Sequence, residues 1–353
     1  MMRRSLKLLI LALSISLVSC VHEFPSPHPD LVPFRLNLDF STELPIHEEI
    51  TFGADDATKL PSEFHDIRYV VNAFPVDRDG TESRVPDTSF VFTVPSTETL
   101  NRTLDFSIKE GSYVFRVWTD YVDAGSVSDK YYITDNFSEI ILPDASNHSG
   151  SNDFRDAFRG SVQAEVIDPT YYRGSALENI ATEADIAMER PLGKYKFVST
   201  DTDIFLTRVL EAMQLQASGT KADMLSKVNL DDYNVVFRYN AFMPCSYNMF
   251  TDKPADSWTG VWYSGRLTKD KDDELSLGYD YVFVNGKETT LSISVEVYDK
   301  DGKLMSQTNP IDVPIIRSHL TVVKGNFLTS SASGGVSISP SFDGEDYNIE
   351  LNW

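Results

Sequence analysis

The sequence is poor in cysteine and, beyond residue 20, lacks a long apolar run. Its two cysteines are Cys20, at the end of the N-terminal apolar segment, and Cys245. One remaining thiol cannot close an internal disulfide, so the fold must be stabilised by its hydrophobic core. No stretch after residue 20 approaches the roughly 18 apolar residues of a membrane-spanning helix, which excludes a second span.

Linear patterns of catalytic and metal sites are also missing. The six histidines are scattered and form no HExxH pair, and the chain has no GxSxG elbow, P-loop or GxGxxG. Among 53 acidic residues no pair stands out as a glycosidase acid and base. Cys245 has no neighbouring His or Asp and is interpreted as a small buried residue. We therefore expect a non-catalytic protein without a cofactor or metal.

Two Asp-basic-Asp-Gly segments, residues 77–80 and 299–302, could suggest calcium loops. An EF-hand loop needs Gly at its sixth position and Glu at its twelfth, and neither segment supplies both. Each follows a predicted strand. The sequence therefore predicts two hairpin turns here.

Positive charge is scarce. The chain has 31 Lys+Arg against 53 Asp+Glu, a formal net charge of −22. Such a surface repels the phosphate backbone of nucleic acids and anionic headgroups. Nucleic acid is therefore excluded as a partner.

The first 20 residues follow the order of a bacterial lipoprotein signal peptide. A basic start precedes a short apolar core at residues 8–18, and residues 17–20 (LVSC) fit the lipobox pattern. We predict cleavage after Ser19 and acylation of the Cys20 thiol, which would anchor the protein to a membrane. An ordinary signal peptide that contains a cysteine and an uncleaved anchor helix are the alternatives.

Beyond residue 33, apolar and polar residues alternate in many segments, which predicts β-strands separated by Gly and Pro turns. The predicted strands are Phe34–Phe40, Ile67–Val76, Phe90–Val94, Tyr113–Tyr121, Arg190–Val198, Asn234–Met243, Tyr279–Val284, Thr289–Tyr298, Ile311–Ile315 and Leu320–Leu328. Leu177–Met188 and Ile204–Gln216 are predicted to be helical, the latter from its apolar stripe. The pattern predicts a mainly β, antiparallel architecture with one or two short helices.

The mature chain is long enough for about two domains. We predict a signal peptide at residues 1–19 and a tether at residues 20–33. Four prolines make that tether an extended spacer. An N-terminal β domain at residues 34–188 and a C-terminal β domain at residues 189–353 follow.

The last residues form a regular alternation. Tyr347, Ile349, Leu351 and Trp353 alternate with polar residues, which predicts a strand. We expect this strand to dock either in the sheet of its own chain or in a partner, with these four side chains as candidate contacts.

Three aromatic residues, Trp258, Trp262 and Tyr263, cluster around Gly260. Exposed aromatic rings can stack on sugar rings, so these residues are candidate glycan contacts. The favoured alternative is structural, with Trp262 directed into the core and Trp258 covering a loop.

Several segments resemble a known family. They are the lipobox Cys20, Val117–Tyr121 (VWTDY), Asp156–Phe158 (DAF), Arg190–Leu192 (RPL), Asp231–Tyr233 (DDY), Pro244–Asn248 (PCSYN), Val322–Leu328 (VVKGNFL) and Phe342–Leu351. The sequence resembles the fimbrillin-like lipoproteins of the Bacteroidales, and within them a two-domain, largely uncharacterised branch related to the minor subunits that anchor type V pili. The resemblance covers nearly the whole mature chain.

That resemblance implies two tandem transthyretin-like β-sandwich domains at the outer membrane. It also implies a role in fimbrial anchoring or assembly, with fimbrial shaft subunits as partners. Arginines at which pilins of this superfamily would be cleaved are not evident early in the mature chain, since Arg35 and Arg68 lie within predicted strands. This favours a lipid-retaining anchor. The alternative function is a cell-surface lipoprotein that binds glycans or host ligands.

Overall fold

The computed structural model describes residues 31–40, 65–168 and 182–329, and the backbone of residues 347–350. The chain is mainly β, as the alternating pattern predicts. The N-terminal half contains β1 (Val32–Phe40), β2 (His65–Pro75), β3 (Thr88–Pro95), β4 (Arg102–Ile108), β5 (Gly111–Asp123), β6 (Ile140–Ile141), β7 (Phe158–Val166) and β8 (Glu183–Met188). A short 3-10 turn, Asp153–Arg155, precedes β7.

The C-terminal half contains two short helices and the remaining strands. The strands are β9 (Leu192–Ser199), β10 (Asn234–Tyr239), β11 (Met243–Pro244), β12 (Ser246–Asn248), β13 (Lys253–Pro254), β14 (Ser257–Trp258), β15 (Trp262–Arg266), β16 (Thr268–Lys269), β17 (Leu275–Phe283), β18 (Glu288–Tyr298), β19 (Leu304–Gln307), β20 (Ile311–Ile316), β21 (Leu320–Gly325) and β22 (Tyr347–Glu350). The helices are α1 (Thr202–Ala212) and α2 (Lys221–Leu225), and 3-10 turns lie at Leu230–Asp232 and Lys271–Asp273.

Two sheets of the N-terminal half pack around a common core. One has the order β4–β1–β8, with β8 parallel to β1. The other has the order β3–β2–β5–β7 and is antiparallel. Alternate residues of β1 enter this core, and the ring of Phe34 stacks on that of Phe115 in β5 at 5.1 Å. The alternation that predicts β1 thus also determines its buried face.

A larger core lies between two sheets of the C-terminal half. One sheet has the order β15–β10–β18–β19, with β20 also paired to β18, and the other has the order β16–β17–β9–β21–β22. Phe197 of β9 meets Phe237 of β10 across this core, with ring centroids 5.4 Å apart. The strands predicted at residues 190–198, 279–284, 289–298, 311–315 and 320–328 are confirmed, with bounds shifted by a few residues.

The helix prediction is half right. Helix α1 confirms the helix predicted at Ile204–Gln216, and its apolar stripe is buried. The prediction for Leu177–Met188 is wrong over residues 183–188, which form β8 and pair in parallel with β1, and residues 177–181 lie outside the described residues. Ala and Glu favour a helix, but Ile186 and Met188 alternate into the smaller core, so tertiary packing overrides local propensity.

The two halves share a packed interface. The outer face of the β3–β2–β5–β7 sheet places Val70, Phe74 and Trp118 in the larger core, where Trp118 and Tyr132 are in edge-to-face contact at 5.3 Å. Strand β2 is therefore buried on both faces. In addition, β6 pairs with β12 through residues 140–141 and 246–247. Both contacts join the halves into one continuous packing unit.

Candidate functional site

The predicted lipidation and partner-strand residues fall largely beyond the described residues. Cys20, Leu351 and Trp353 lie outside them. Tyr347 and Ile349 belong to β22, which pairs in parallel with β21 at the edge of its sheet. The structure thus docks this strand in its own chain, which is one of the two predicted alternatives.

The three aromatic residues proposed as glycan contacts do not form one platform. Strand β15 alternates, so Trp262 is 43% exposed, whereas Tyr263 is 1% exposed and stacks on Phe237 at 4.7 Å. Trp258, in β14, is half-buried and packs against the larger core. The structural interpretation that directed Trp262 into the core is therefore wrong. Tyr263 cannot be a surface contact, because its ring fills the interior.

Trp262 belongs to the outward face of β15, β10 and β18, which we call the Trp262 face. The register places Trp262 beside Arg238 of β10, and Arg238 beside Ser294 of β18. The Nε of Arg238 donates to Oε1 of Glu296 at 3.0 Å, and the hydroxyl of Tyr298 donates to Oε2 at 2.8 Å. The hydrogen bond from Arg238 outweighs burial and holds the pKa of Glu296 below its ordinary value. The carboxylate therefore stays ionised and bonded.

The Trp262 face surrounds an open concavity of about 460 Å³. Its lining includes Asn234, Arg238, Trp262, Ser264, Tyr298 and Lys300. The turn at residues 299–302, between β18 and β19, forms one rim. The concavity thus combines one exposed indole ring with hydrogen-bonding side chains.

The turns at residues 77–80 and 299–302 use their first aspartate to hold the backbone. In each, Oδ1 of Asp77 or Asp299 accepts from the N–H groups two and four residues later, at 2.9–3.0 Å. This is the geometry of a tight turn rather than of a calcium loop. Within the described residues, no group of three or more His, Cys, Asp or Glu side chains could hold a metal.

A buried polar network joins the two halves. Its members are His148 and Arg155 from the N-terminal half and Tyr195, Tyr239, Tyr263 and Asp280 from the C-terminal half. Burial would raise the pKa of Asp280, but Arg155 and His148 outweigh it and lower that pKa below its ordinary value. Burial, followed by the charge of Arg155, lowers the pKa of His148. The network therefore holds an ionised carboxylate next to a neutral imidazole.

A second set of contacts between the halves surrounds Asp252, which follows β12. Its carboxylate pairs with Nε of Arg159 in β7 at 2.7 Å and with Nη1 of Arg317 after β20 at 2.8 Å. Nearby, Arg116 of β5 donates to the carbonyl oxygen of Met249 at 2.8 Å. Ion pairs and hydrogen bonds thus reinforce the shared hydrophobic interface at two separate places.

Cys245 lies between β11 and β12 and is buried, as expected for a structural cysteine. Burial, followed by the charge of Asp256, raises the pKa of its thiol to about 12. Such a thiol is protonated at neutral pH and is a poor nucleophile. In the part of the chain that the structure describes, no helix is long and apolar enough to cross a membrane.

Sequence reasoning missed the partners of Trp262 and the whole buried network. Arg238 and Glu296 lie 58 positions apart, and His148 and Asp280 lie 132 apart. Each residue occurs in a predicted strand or loop without any local pattern. Only the strand pairing brings them together.

The fold defines a β-rich protein of packed sheets whose two cores meet at one interface. The chain belongs to a family of unknown function (DUF6562), which it matches over residues 30–352. No curated protein matches it significantly.

Several solved structures are similar to this chain. One is a candidate cell adhesion protein from Bacteroides ovatus, with 12% identity, a TM-score of 0.41, and coverage of 83% of this chain and 92% of the other. A second is the fimbrial anchor protein Mfa2 from Porphyromonas gingivalis, with 11% identity, a TM-score of 0.37, and coverage of 79% and 82%. A third is a candidate polysaccharide-binding protein from Bacteroides thetaiotaomicron, with 11% identity, a TM-score of 0.38, and coverage of 78% and 79%. These similarities are too distant to assign a function.

Proposed function

We propose that this protein is a non-catalytic fimbrial anchor or minor assembly subunit at the outer membrane, held there by acyl chains on Cys20. In this proposal, residues 34–188 and 189–353 are two tandem transthyretin-like β-sandwich domains that follow the tether at residues 20–33. The sequence resemblance to fimbrillin-like lipoproteins points to this role. The observation that supports it is the packed interface between the two halves of the chain.

An anchor transmits force between a membrane and the structure that it holds, so its parts must not separate under load. Interfaces between domains of one chain are commonly small and polar, and permit relative motion. Here the halves share a continuous core that includes Trp118. The buried pair Arg155–Asp280 and the ion pair between Asp252 and Arg159 reinforce it. A body with this coupling is suited to bear load.

The tether completes the proposal. Each buried CH₂ of an acyl chain contributes about 0.8 kcal/mol to membrane binding, so several chains on Cys20 would hold the protein firmly. Three prolines that precede β1, Pro25, Pro27 and Pro29, would stiffen the spacer and give it reach. Strand β1 starts at Val32, so the last two residues of the predicted tether, Val32 and Pro33, belong to this strand, where they pair with β4.

Lipid attachment is tested with the two cysteines as a matched pair. Cells expressing the wild type, Cys20→Ala or Cys245→Ala are fed a palmitate analogue that can be detected after labelling. We expect label and membrane association in the wild type and in Cys245→Ala, and neither in Cys20→Ala. Label that persists in Cys20→Ala, or free release of the wild type, contradicts the tether.

The fimbrial role is tested at the terminal strand. One variant replaces Tyr347, Ile349, Leu351 and Trp353 by serine, and its control replaces the alternating polar residues Asn348, Glu350 and Asn352 by alanine. If these side chains contact a shaft subunit, the first variant sheds fimbriae into the medium while the control retains them. Equal retention by both, with wild-type folding, removes this strand from the partner interface.

A further inference from the structure

The Trp262 face has an arrangement that the strand register fixes. Its rows, read from β15 through β10 to β18, are Trp262–Arg238–Ser294, Ser264–Val236–Glu296 and Arg266–Asn234–Tyr298. Opposite residues of antiparallel strands carry side chains on the same face, about 5 Å apart. The other face of these strands is buried in the larger core. The rows therefore form one outward surface.

The indole of Trp262 is presented by a rigid element. Its two neighbours, Val261 and Tyr263, are each 1% exposed and anchored in the core. The backbone beneath the ring is thus held in place by packing on the opposite side. A ligand that stacks on Trp262 would lose little affinity to ordering of the protein.

The polar groups beside the ring are also held in place. Arg238 is bonded to Glu296, which is bonded in turn to Tyr298. The carboxylate of Glu296 thus holds the guanidinium of Arg238 and the phenol of Tyr298, both of which line the concavity. The lining also includes the carboxylate of Asp299. Ser264 and Asn234 add a hydroxyl and an amide to its lining.

The charges of this surface nearly cancel. Arg238, Arg266 and Lys300 stand against Glu296 and Asp299, whereas the whole chain has a net charge of −22. The strongly acidic character of the protein therefore does not extend to this face. Recognition here must rest on hydrogen bonds and ring stacking, which favours an uncharged occupant with many hydroxyl groups.

We propose that the Trp262 face binds the pyranose rings of a neutral oligosaccharide. A pyranose presents a flat face of C–H groups, which packs on an indole ring, and a rim of hydroxyls, which exchange hydrogen bonds with guanidinium, carboxylate and amide groups. The concavity provides an indole ring for stacking and hydrogen-bonding side chains in one place. It is open to the surface, so a chain of sugars can enter along it. This activity is separate from the proposed anchoring.

A protein partner is the weaker alternative. The cores of protein interfaces are enriched in apolar and aromatic anchors. In the described rows of this face, Trp262 is the single exposed large apolar ring, and polar side chains surround it.

The test uses the full-length protein and an array of immobilised neutral and acidic oligosaccharides. The best neutral ligand is then titrated in solution while tryptophan fluorescence is recorded. We expect binding that changes little with added salt. Trp262→Ala should weaken it by about tenfold or more, as truncation of a central aromatic anchor does.

The matched control is Phe242→Ala. Phe242 is 70% exposed, lies on the loop after β10, and is not among the residues that line the concavity. Its variant should bind within about twofold of the wild type. Ser264→Tyr supplies an independent variant, because the larger side chain fills the concavity while Trp262 stays in place. Thermal unfolding confirms that each variant is folded.

Four results would overturn the proposal. The first is that no oligosaccharide binds, and the second is that binding survives both Trp262→Ala and Ser264→Tyr. The third is binding that is restricted to acidic sugars and is lost in salt. The fourth is that this face binds a protein and no glycan.

Discussion

Arg155, in the turn before β7, donates through Nη1 to the carboxylate of Asp280 in β17, and the two side chains are 3% and 1% exposed. His148 and Tyr239 contact the same carboxylate, each at 2.5 Å. The ion pair crosses from one half of the chain to the other, away from water. The intact pair adds little net stability, because burying two charges is itself unfavourable. Removing one partner is strongly destabilising, because it leaves the other as a buried, uncompensated charge.

We therefore expect Asp280→Asn to lower the free energy of unfolding by about 3–5 kcal/mol. The matched control is Asp105→Asn, which breaks the exposed pair between Asp105 and Arg35, whose side chains are 66% and 50% exposed. That change should cost less than about 1 kcal/mol. Urea denaturation measures both. Equal losses in the two variants would show that the buried pair does not couple the halves.

Stability should also depend on pH through His148. Its folded pKa is lowered from the ordinary value of 6.5, so the unfolded chain binds a proton more readily than the folded one. The stabilisation is fully present above pH 6.5 and is lost as the pH falls below that value towards the folded pKa. The lowered pKa of Asp280 adds a second loss as the pH falls below 3.8.

The measurement is the unfolding free energy between pH 7 and 5. The unfolding free energy should fall less between pH 7 and 5 in His148→Asn than in the wild type. The asparagine keeps a hydrogen-bond donor for Asp280 but cannot be protonated in this range. His319→Asn is the control, because His319 is exposed. His65, whose pKa burial also lowers, is left unchanged in both variants. An identical decline in the two variants contradicts the role of His148.

Strand existence could be predicted from sequence because a period of two is a local property. The alternation in β1, β5 and β18 identifies these strands within a few residues. Strand β4 also alternates, with Leu104 and Ile108 directed inward, and so does β7, with Phe158 and Val166 directed inward. Neither strand is among those predicted from the sequence. They contain Asp, Gly and Gln, which weaken a strand pattern without preventing pairing.

The direction of Trp262 could not be predicted, because alternation gives the period but not the phase. Both Trp262 and Tyr263 can serve in a core, and the choice depends on Tyr263 stacking on Phe237 of a distant strand. The hydroxyl of Tyr263 also bonds to that of Tyr195 at 3.1 Å. Tertiary contacts of this kind decide the phase, and with it the composition of the candidate site.

Gly150 is expected to be intolerant of a side chain. A Cβ at this position would overlap the ring of Tyr263, which is held between Gly150 and Phe237. Gly150→Ala should therefore destabilise the fold by about 1–3 kcal/mol, as other overpacking substitutions do. A double-mutant cycle with Tyr263→Leu measures the coupling. If the cost of Gly150→Ala is unchanged in the Tyr263→Leu background, the overlap is not its cause.

The thiol of Cys245 provides the last prediction. Because burial raises its pKa to about 12, the native protein should not react with a thiol reagent at pH 7. After unfolding in guanidinium, protein extracted from the cells that produce it should expose one reactive thiol if Cys20 is acylated, and Cys245→Ala should expose none. Two reactive thiols would contradict acylation of Cys20, whereas rapid reaction of the native protein would contradict the burial of Cys245.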